Sequence, residues 1–274
     1  MKYGIAIRNM GPQSTGSTIK ACARHAESMG FDALFVSDHL CIPPDQTEGS
    51  GGRYLDVLAA LGYLAGVTER IRLGISVLVL PYRPAVLTAK QVATIQELSG
   101  GRLILGVGVG WMKPEFEALG VDRRKRGRLT DETLRILRHL FANRTESYRG
   151  ELVNFPAFVF LPRPAAPPIW VGGNGEAAMA RVVEFGDGWH PMLPADKLKP
   201  VVSALQERLA AKHRAPAEIV VRRMIRFDDL GAAKARVQAE NDAGATYFIL
   251  DLGRYPDEKE FAAQAETFIH KVVS

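Results

Sequence analysis

The sequence predicts an α/β fold, a (β/α)8 TIM barrel, and three observations carry that prediction. Short β-rich runs alternate with amphipathic helical patterns from end to end, the pattern of parallel strands joined by helices. Eight strand-then-helix units can be counted, which points to a closed barrel instead of an open sheet. The chain of 274 residues leaves one or two domains open by length alone, and α/β barrels use roughly 200 to 250 residues in one unit. We therefore expect residues 1–274 to form one barrel domain.

The strands fall in order near Tyr3 to Arg8, Ala33 to Asp38, Ile71 to Val77, Leu103 to Gly108, Pro168 to Val171, Gly188 to Met192, Ile219 to Arg226 and Thr246 to Leu252. Helical patterns follow, for example Ser17 to Met29, Tyr54 to Gly66, Ala85 to Leu98, Leu129 to Phe141, Ala195 to Lys212 and Pro256 to Val273. The spacing breaks once. From Leu103 to Pro168 takes about 65 residues, against roughly 30 for an ordinary βαβ unit, so an insertion of about 112–167 lies between strands 4 and 5. It holds a basic run (Arg123, Arg124, Lys125, Arg126, Arg128), a helix and a hairpin-like stretch from Ser147 to Phe160.

Composition excludes several classes. Hydrophobic residues make up 47% and charged residues 24%, as in an ordinary folded protein. The longest apolar run, around Ile75 to Leu80, is far shorter than the roughly 18 residues of a membrane span, so no membrane association is expected. The apolar stretch after Lys2 is too short for a secretory signal, which predicts a cytoplasmic protein. Cys22 and Cys41 fit neither a disulfide framework nor a paired zinc pattern. The net charge of +5 invites nucleic acid, but no recognisable motif accompanies it, and a small acidic molecule is the better partner.

Barrel active sites are built at the C-terminal ends of the strands. Strand 2 ends in Ser37, Asp38, His39, an acceptor and a group that moves protons near neutral pH; a helix-start Asp beside a partly buried His is the structural alternative. Strand 4 runs into Gly106, Gly108 and Gly110, where the missing Cβ atoms allow close approach of a flat ligand or, equally, of a neighbouring strand. After strand 5, Gly172, Gly173, Asn174 and Gly175 lead into a helix near Glu176. This is either an anion site at a helix N-terminus or a plain tight turn. Strand 6 ends in His190, a candidate contact to phosphate or substrate, and strand 8 in Asp251.

These stretches together resemble the luciferase-like flavin and deazaflavin oxidoreductases. The carrying residues are Phe31 to Leu40 (FDALFVSDHL), Arg72 to Trp111, Arg126 to Leu140 and Ile169 to Pro191. The Ser37-Asp38-His39 ending is similar to the branch that uses the deazaflavin coenzyme F420. The resemblance implies hydride transfer between F420 and a small organic substrate, with Asp38 and His39 at the ring and His39 exchanging the proton. It implies a non-proline cis peptide at Ser76 and Val77 against the ring, Val109 and Gly110 lining the ring pocket, Gly172, Gly173, Asn174 and Gly175 at the phosphate, and a homodimer. One departure stands out: some sugar-phosphate dehydrogenases of this branch carry glutamate where this chain has Trp111, which argues against that activity. The alternative within the fold is an FMN-dependent monooxygenase. A metal-dependent hydrolase built on Asp38, His39, His190 and Asp251 lacks histidine ligands, and no metal is expected. A Schiff-base aldolase lacks a lysine at a strand end.

Overall fold

A computed structural model describes residues 1–47 and 49–274. The chain runs β1 (Lys2–Ala6), α1 (Gly16–Ser28), β2 (Ala33–Val36), α2 (Val57–Val67), β3 (Arg72–Ile75), β4 (Leu78–Val79), α3 (Ala85–Leu98) and β5 (Leu103–Gly108). The alternation is then interrupted by α4 (Lys113–Ala118), α5 (Arg126–Ala142) and the antiparallel hairpin of β6 (Thr145–Arg149) and β7 (Asn154–Val159). It resumes with β8 (Ile169–Gly172), α6 (Glu176–Phe185), β9 (Gly188–His190), α7 (Ala195–Ala211), β10 (Glu218–Met224), α8 (Leu230–Asp242), β11 (Tyr247–Asp251) and α9 (Glu258–Thr267).

Helix starts follow local chemistry. Thr15, Asp56, Asp229 and Asp257 each cap a helix by accepting hydrogen bonds from amides of its first turn. Where α5 meets the hairpin, the buried Glu132 carboxylate accepts from the Leu152 and Val153 amides and pins the turn.

In space the parallel strands follow β1, β2, β3, β5, β8, β9, β10 and β11, and β11 pairs back onto β1. β3 and β4 act as one interrupted strand, since both lie along β5. The result is the closed eight-stranded (β/α)8 barrel, with the interruption placed between its fourth and fifth strands.

Side chains alternate across each strand, so two-residue steps climb the barrel interior. One interior layer is apolar: Ala6, Phe35, Ile104, Trp170, Val220 and Ile249 belong to a single buried cluster. Two residues further toward the C-terminal ends stand Arg8, Ser37, Gly106, Gly172, Arg222 and Asp251. The barrel floor is thus hydrophobic and its mouth polar.

The glycines at 106, 108 and 110 have a packing cause. A Cβ at Gly106 would lie 1.9 Å from the Ile75 carbonyl oxygen, one at Gly108 2.7 Å from Val77, and one at Gly110 2.6 Å from Val79. Alternate residues 75, 77 and 79 of the adjoining strand therefore press on alternate glycines of the next. The first contact is with backbone, which cannot rotate away. Gly106→Ala should cost about 2 to 3 kcal/mol in denaturant unfolding by overpacking. Gly62→Ala, at a helical site with open space around it, should leave stability unchanged or slightly raised. Equal effects of the two would show that the strand contact does not require glycine.

Candidate active site

The end of β2 is fixed from both sides. Asn9, fully buried after β1, accepts from the Ser37 amide at 3.0 Å and donates to the Ser37 carbonyl at 2.8 Å. The Asp38 carboxylate is fully buried, accepts two hydrogen bonds from Arg83 at 2.7 and 2.8 Å, and takes a third from the Val79 amide at 2.9 Å. Both of its oxygens are thereby engaged with Arg83 and β4, next to the Ser76 to Val77 bulge.

His39 faces the mouth, with 21% of its side chain exposed. Its Nδ1 lies 3.0 Å from Glu115 Oε2 on α4. Glu115 is wholly buried and also accepts from the Leu40 amide at 2.6 Å and the Tyr82 hydroxyl at 2.8 Å. Burial alone would raise the Glu115 carboxyl, but the bonds from His39, the Leu40 amide and Tyr82 together outweigh it and hold it below the ordinary glutamate range. Glu115 is therefore an ionised acceptor, so Nδ1 of His39 is the nitrogen that donates to it, and Nε2 is the nitrogen turned from Glu115. Tyr54 and Trp111 stand edge-on to the imidazole, with ring centroids at 5.1 and 6.2 Å. Trp111 is exposed.

The Ser76 to Val77 peptide bond is cis, as the resemblance implied. The Ser76 hydroxyl lies 2.8 Å from His190 Nε2, and His190 Nδ1 lies 3.0 Å from the Val220 carbonyl. A carbonyl can only accept, so Nδ1 is the protonated nitrogen and Ser76 donates to Nε2. Arg222 approaches the same hydroxyl at 3.4 Å, donates to Ser37 Oγ at 3.1 Å, and is paired with Asp251 at 2.9 Å. His190 is buried with both ring nitrogens engaged, and it holds Ser76 from below.

Burial pushes His190 down to about 4, against the bond to Val220, with Arg222 and Arg223 adding to the fall. Its folded value lies below its unfolded value of about 6.5, so the unfolded chain takes up a proton first as pH drops. The stability it contributes is fully present above pH about 6.5 and is lost as pH falls toward about 4. His190→Gln should flatten the stability profile in that window by about 3 kcal/mol relative to its own neutral-pH value. Parallel wild-type and variant profiles between pH 4 and 6.5 would contradict the assignment.

At the turn into α6, Gly173 adopts φ +120° and a Cβ there would meet Ala178 at 3.2 Å. Asn174 Oδ1 accepts from the Met192 amide at 2.7 Å, so its side chain braces the β9 loop. Gly175 is the N-cap of α6 and offers no side-chain cap. Glu176, which would repel an anion there, is drawn to Arg208 at 2.5 Å. The Glu176 and Ala177 amides at the start of α6, without a hydrogen-bond partner among the described residues, are left as a fit for an anionic group, while the Ala178 amide is bound to the Gly175 carbonyl. Val109 and Gly110 are half-buried at the end of β5, with Gly110 at φ +75° against Val79 and Phe116.

The fold therefore gathers His39, Ser76, Val77, Val109 and Gly110 with the 172–175 turn at strand C-termini on one end of the barrel. Sequence reasoning missed Glu115, Arg222, Asn9 and Arg83. Arg222 was open to view: an arginine two residues after Val220 continues the interior face of an otherwise apolar strand. Glu115 carried no such signal.

The profile of the family described as luciferase-like monooxygenase matches residues 1–269. A protein of Mycobacterium tuberculosis is 32% identical over 229 residues, 78% of this chain and 80% of its own. The F420-dependent glucose-6-phosphate dehydrogenase of Nakamurella multipartita is 31% identical over 212 residues, 73% of this chain and 60% of that one. An F420-dependent secondary alcohol dehydrogenase solved with an F420-acetone adduct superposes with a TM-score of 0.83 at 16% identity, covering 99% of this chain and 98% of that one. Monooxygenase RslO1 from Streptomyces bottropensis gives 0.82 at 19% identity, covering 100% and 99%. At such identities the two superpositions speak for the fold alone. With the matched profile running from the first strand into the last helix, the chain belongs to the luciferase-like monooxygenase family.

Proposed function

We propose that the protein is an F420-dependent oxidoreductase that moves a hydride between the coenzyme and a small organic substrate. The observation that carries this reading is the His39 imidazole held on a buried, ionised glutamate at the barrel mouth. Hydride transfer to or from an oxygen-bearing carbon needs a partner for the accompanying proton, and a histidine held in place by Glu115 supplies it. The F420-dependent relative at 31% identity supports the choice of coenzyme.

The residues present fit such a group. The Ser76 to Val77 bulge, Val109 and Gly110 would hold the flat ring system, and Gly172, Gly173, Asn174 and Gly175 with the α6 amides would hold its phosphate. When bound, the coenzyme supplies a carbon that accepts or gives a hydride. In substrate oxidation, His39 Nε2 takes the hydroxyl proton; in reduction, the protonated imidazole returns it. Glu115 keeps Nε2 turned to the mouth and stabilises the imidazolium. Ser76, held by His190, and Arg222, held by Asp251, present fixed polar groups beneath the bulge. In the basic run, Arg124 pairs with Asp122 and Arg128 with Glu151, while Arg123 and Lys125 have no ion pair among the described residues and can meet an anionic coenzyme tail.

The test is anaerobic turnover of F420 with a panel of secondary alcohols and their ketones, followed by the coenzyme's visible absorbance. Turnover with F420 and none with reduced FMN and oxygen is the expected outcome. Oxygen consumption with reduced FMN, and no F420 turnover, would move the protein to the monooxygenase reading.

A further inference from the structure

Arg8, Arg83 and Arg222 reach the active-site end of the barrel from its strands and first loops, and they are not treated alike. Arg83 is neutralised by Asp38 and Asp56, and Arg222 by Asp251. Arg8 has no carboxylate within ion-pair distance among the described residues. Among the described residues its guanidinium makes one long hydrogen bond, from Nη1 to the Gly253 carbonyl at 3.3 Å, and its buried Nε has no partner. A buried donor left without an acceptor costs free energy, more so on a charged group, and such an atom calls for an explanation.

The position of Arg8 supplies one. It stands two residues past the interior Ala6, in the same polar layer as Ser37, Arg222 and Asp251. Its backbone is tied down, since the Arg8 amide donates to the buried Tyr255 hydroxyl at 2.9 Å. Tyr54 joins this segment to His39: it forms an antiparallel bridge with Met10, two residues after Arg8, and its ring is edge-on to the imidazole. An uncompensated cation with a spare buried donor thus shares a wall with the group that moves the proton, and the exposed Trp111 forms the other aromatic side.

We propose that Arg8 is the recognition residue for an anionic group of the substrate, a carboxylate, which it holds beside His39. The proposal rests on the reading of this mouth as the substrate site and adds the class of substrate. A guanidinium fork matches a carboxylate in two parallel hydrogen bonds, and a turn of the Arg8 side chain that brings the now covered Nε to the ligand would satisfy it together with one terminal nitrogen. The substrate class that follows is a hydroxy acid or its keto form, oriented by its charge so that the reacting carbon meets the coenzyme ring and its oxygen meets His39 Nε2.

The experiment compares benzoate, benzamide and phenyl phosphate as ligands, flat probes suited to the Tyr54 and Trp111 walls, each with and without saturating F420. Binding is read by the fluorescence of Trp111, the exposed tryptophan of the three, with Trp111→Phe as the control. Benzoate should bind at least about tenfold more tightly than benzamide, the size expected of one charge-assisted pair. Arg8→Met should erase that preference without lowering the melting temperature, and Arg8→Lys should keep part of it. If Arg8→Met does not fold, Arg8→Gln carries the same comparison. Equal binding of benzoate and benzamide in every arm, or a preference that survives loss of Arg8, would overturn the proposal. So would tighter binding of phenyl phosphate, or displacement of benzoate by F420, which would give Arg8 to the coenzyme. The coenzyme-free arm needs no F420 binding, so failure of the F420 reading and failure of this one can be told apart.

Discussion

His39→Ala should lower turnover by about 10²-fold or more while leaving coenzyme affinity within a few-fold. The size follows from what is removed. Alanine deletes the imidazole that Glu115 holds in place at the mouth, and water must then accept or supply the proton without being positioned. Coenzyme affinity should hold because the proposed cradle is built from the 76 to 77 bulge and the 172 to 175 turn, which do not depend on the imidazole. The check is steady-state kinetics paired with a coenzyme titration of the same preparation. Unchanged turnover would make His39 a packing residue against Tyr54, and a parallel collapse of coenzyme affinity would make it part of the binding surface.

The second large effect belongs to Glu115. Glu115→Gln keeps the volume but turns an ionised acceptor into an amide facing the donors of His39, Leu40 and Tyr82. The amide nitrogen then donates toward His39 and Tyr82, which can accept only if His39 moves its proton to Nε2 and the Tyr82 hydroxyl turns away. Turnover should fall by about 10- to 10²-fold, no further than the loss expected when His39 itself is removed, with KM moving only a few-fold. Stability should drop by about 1 to 3 kcal/mol from the group left unsatisfied. A double-mutant cycle separates the two effects. In the His39→Ala background, Glu115→Gln should cost little further turnover, because the residue it positions is gone. Additive losses would mean that Glu115 acts on catalysis by a route that bypasses His39.

The fold and the strand ends that carry the proposed site were legible in the sequence, and the reason is periodicity. Strand alternation placed the eight barrel strands, and the rule that barrel sites sit at strand ends drew attention to Ser37-Asp38-His39, Ser76-Val77 and the 172 to 175 turn. What remained hidden was the direction in which polar side chains point. Asp38 and His39 are adjacent, yet one is buried on Arg83 and the other opens to the mouth, a division made by Arg83 45 positions away in sequence. Glu115 is 76 positions from His39 and sits on a six-residue helix in the insertion, where no spacing rule links it to β2. The three-glycine pattern was legible as close approach, but only the register of β4 on β5 shows that the approaching group includes strand residues 77 and 79. The burial of His190 and its bonds to Ser76 and Val220 could not be read from residue type, since they arise from strands distant in sequence.

The central claim is that this barrel mouth is shaped for F420, and one measurement tests it most directly: titration of the purified protein with F420 and, separately, with FMN, each followed by coenzyme fluorescence. The account predicts micromolar or tighter binding of F420, with FMN weaker by at least about tenfold, a gap of about 1.4 kcal/mol. Equal affinities, or tighter binding of FMN, would contradict it.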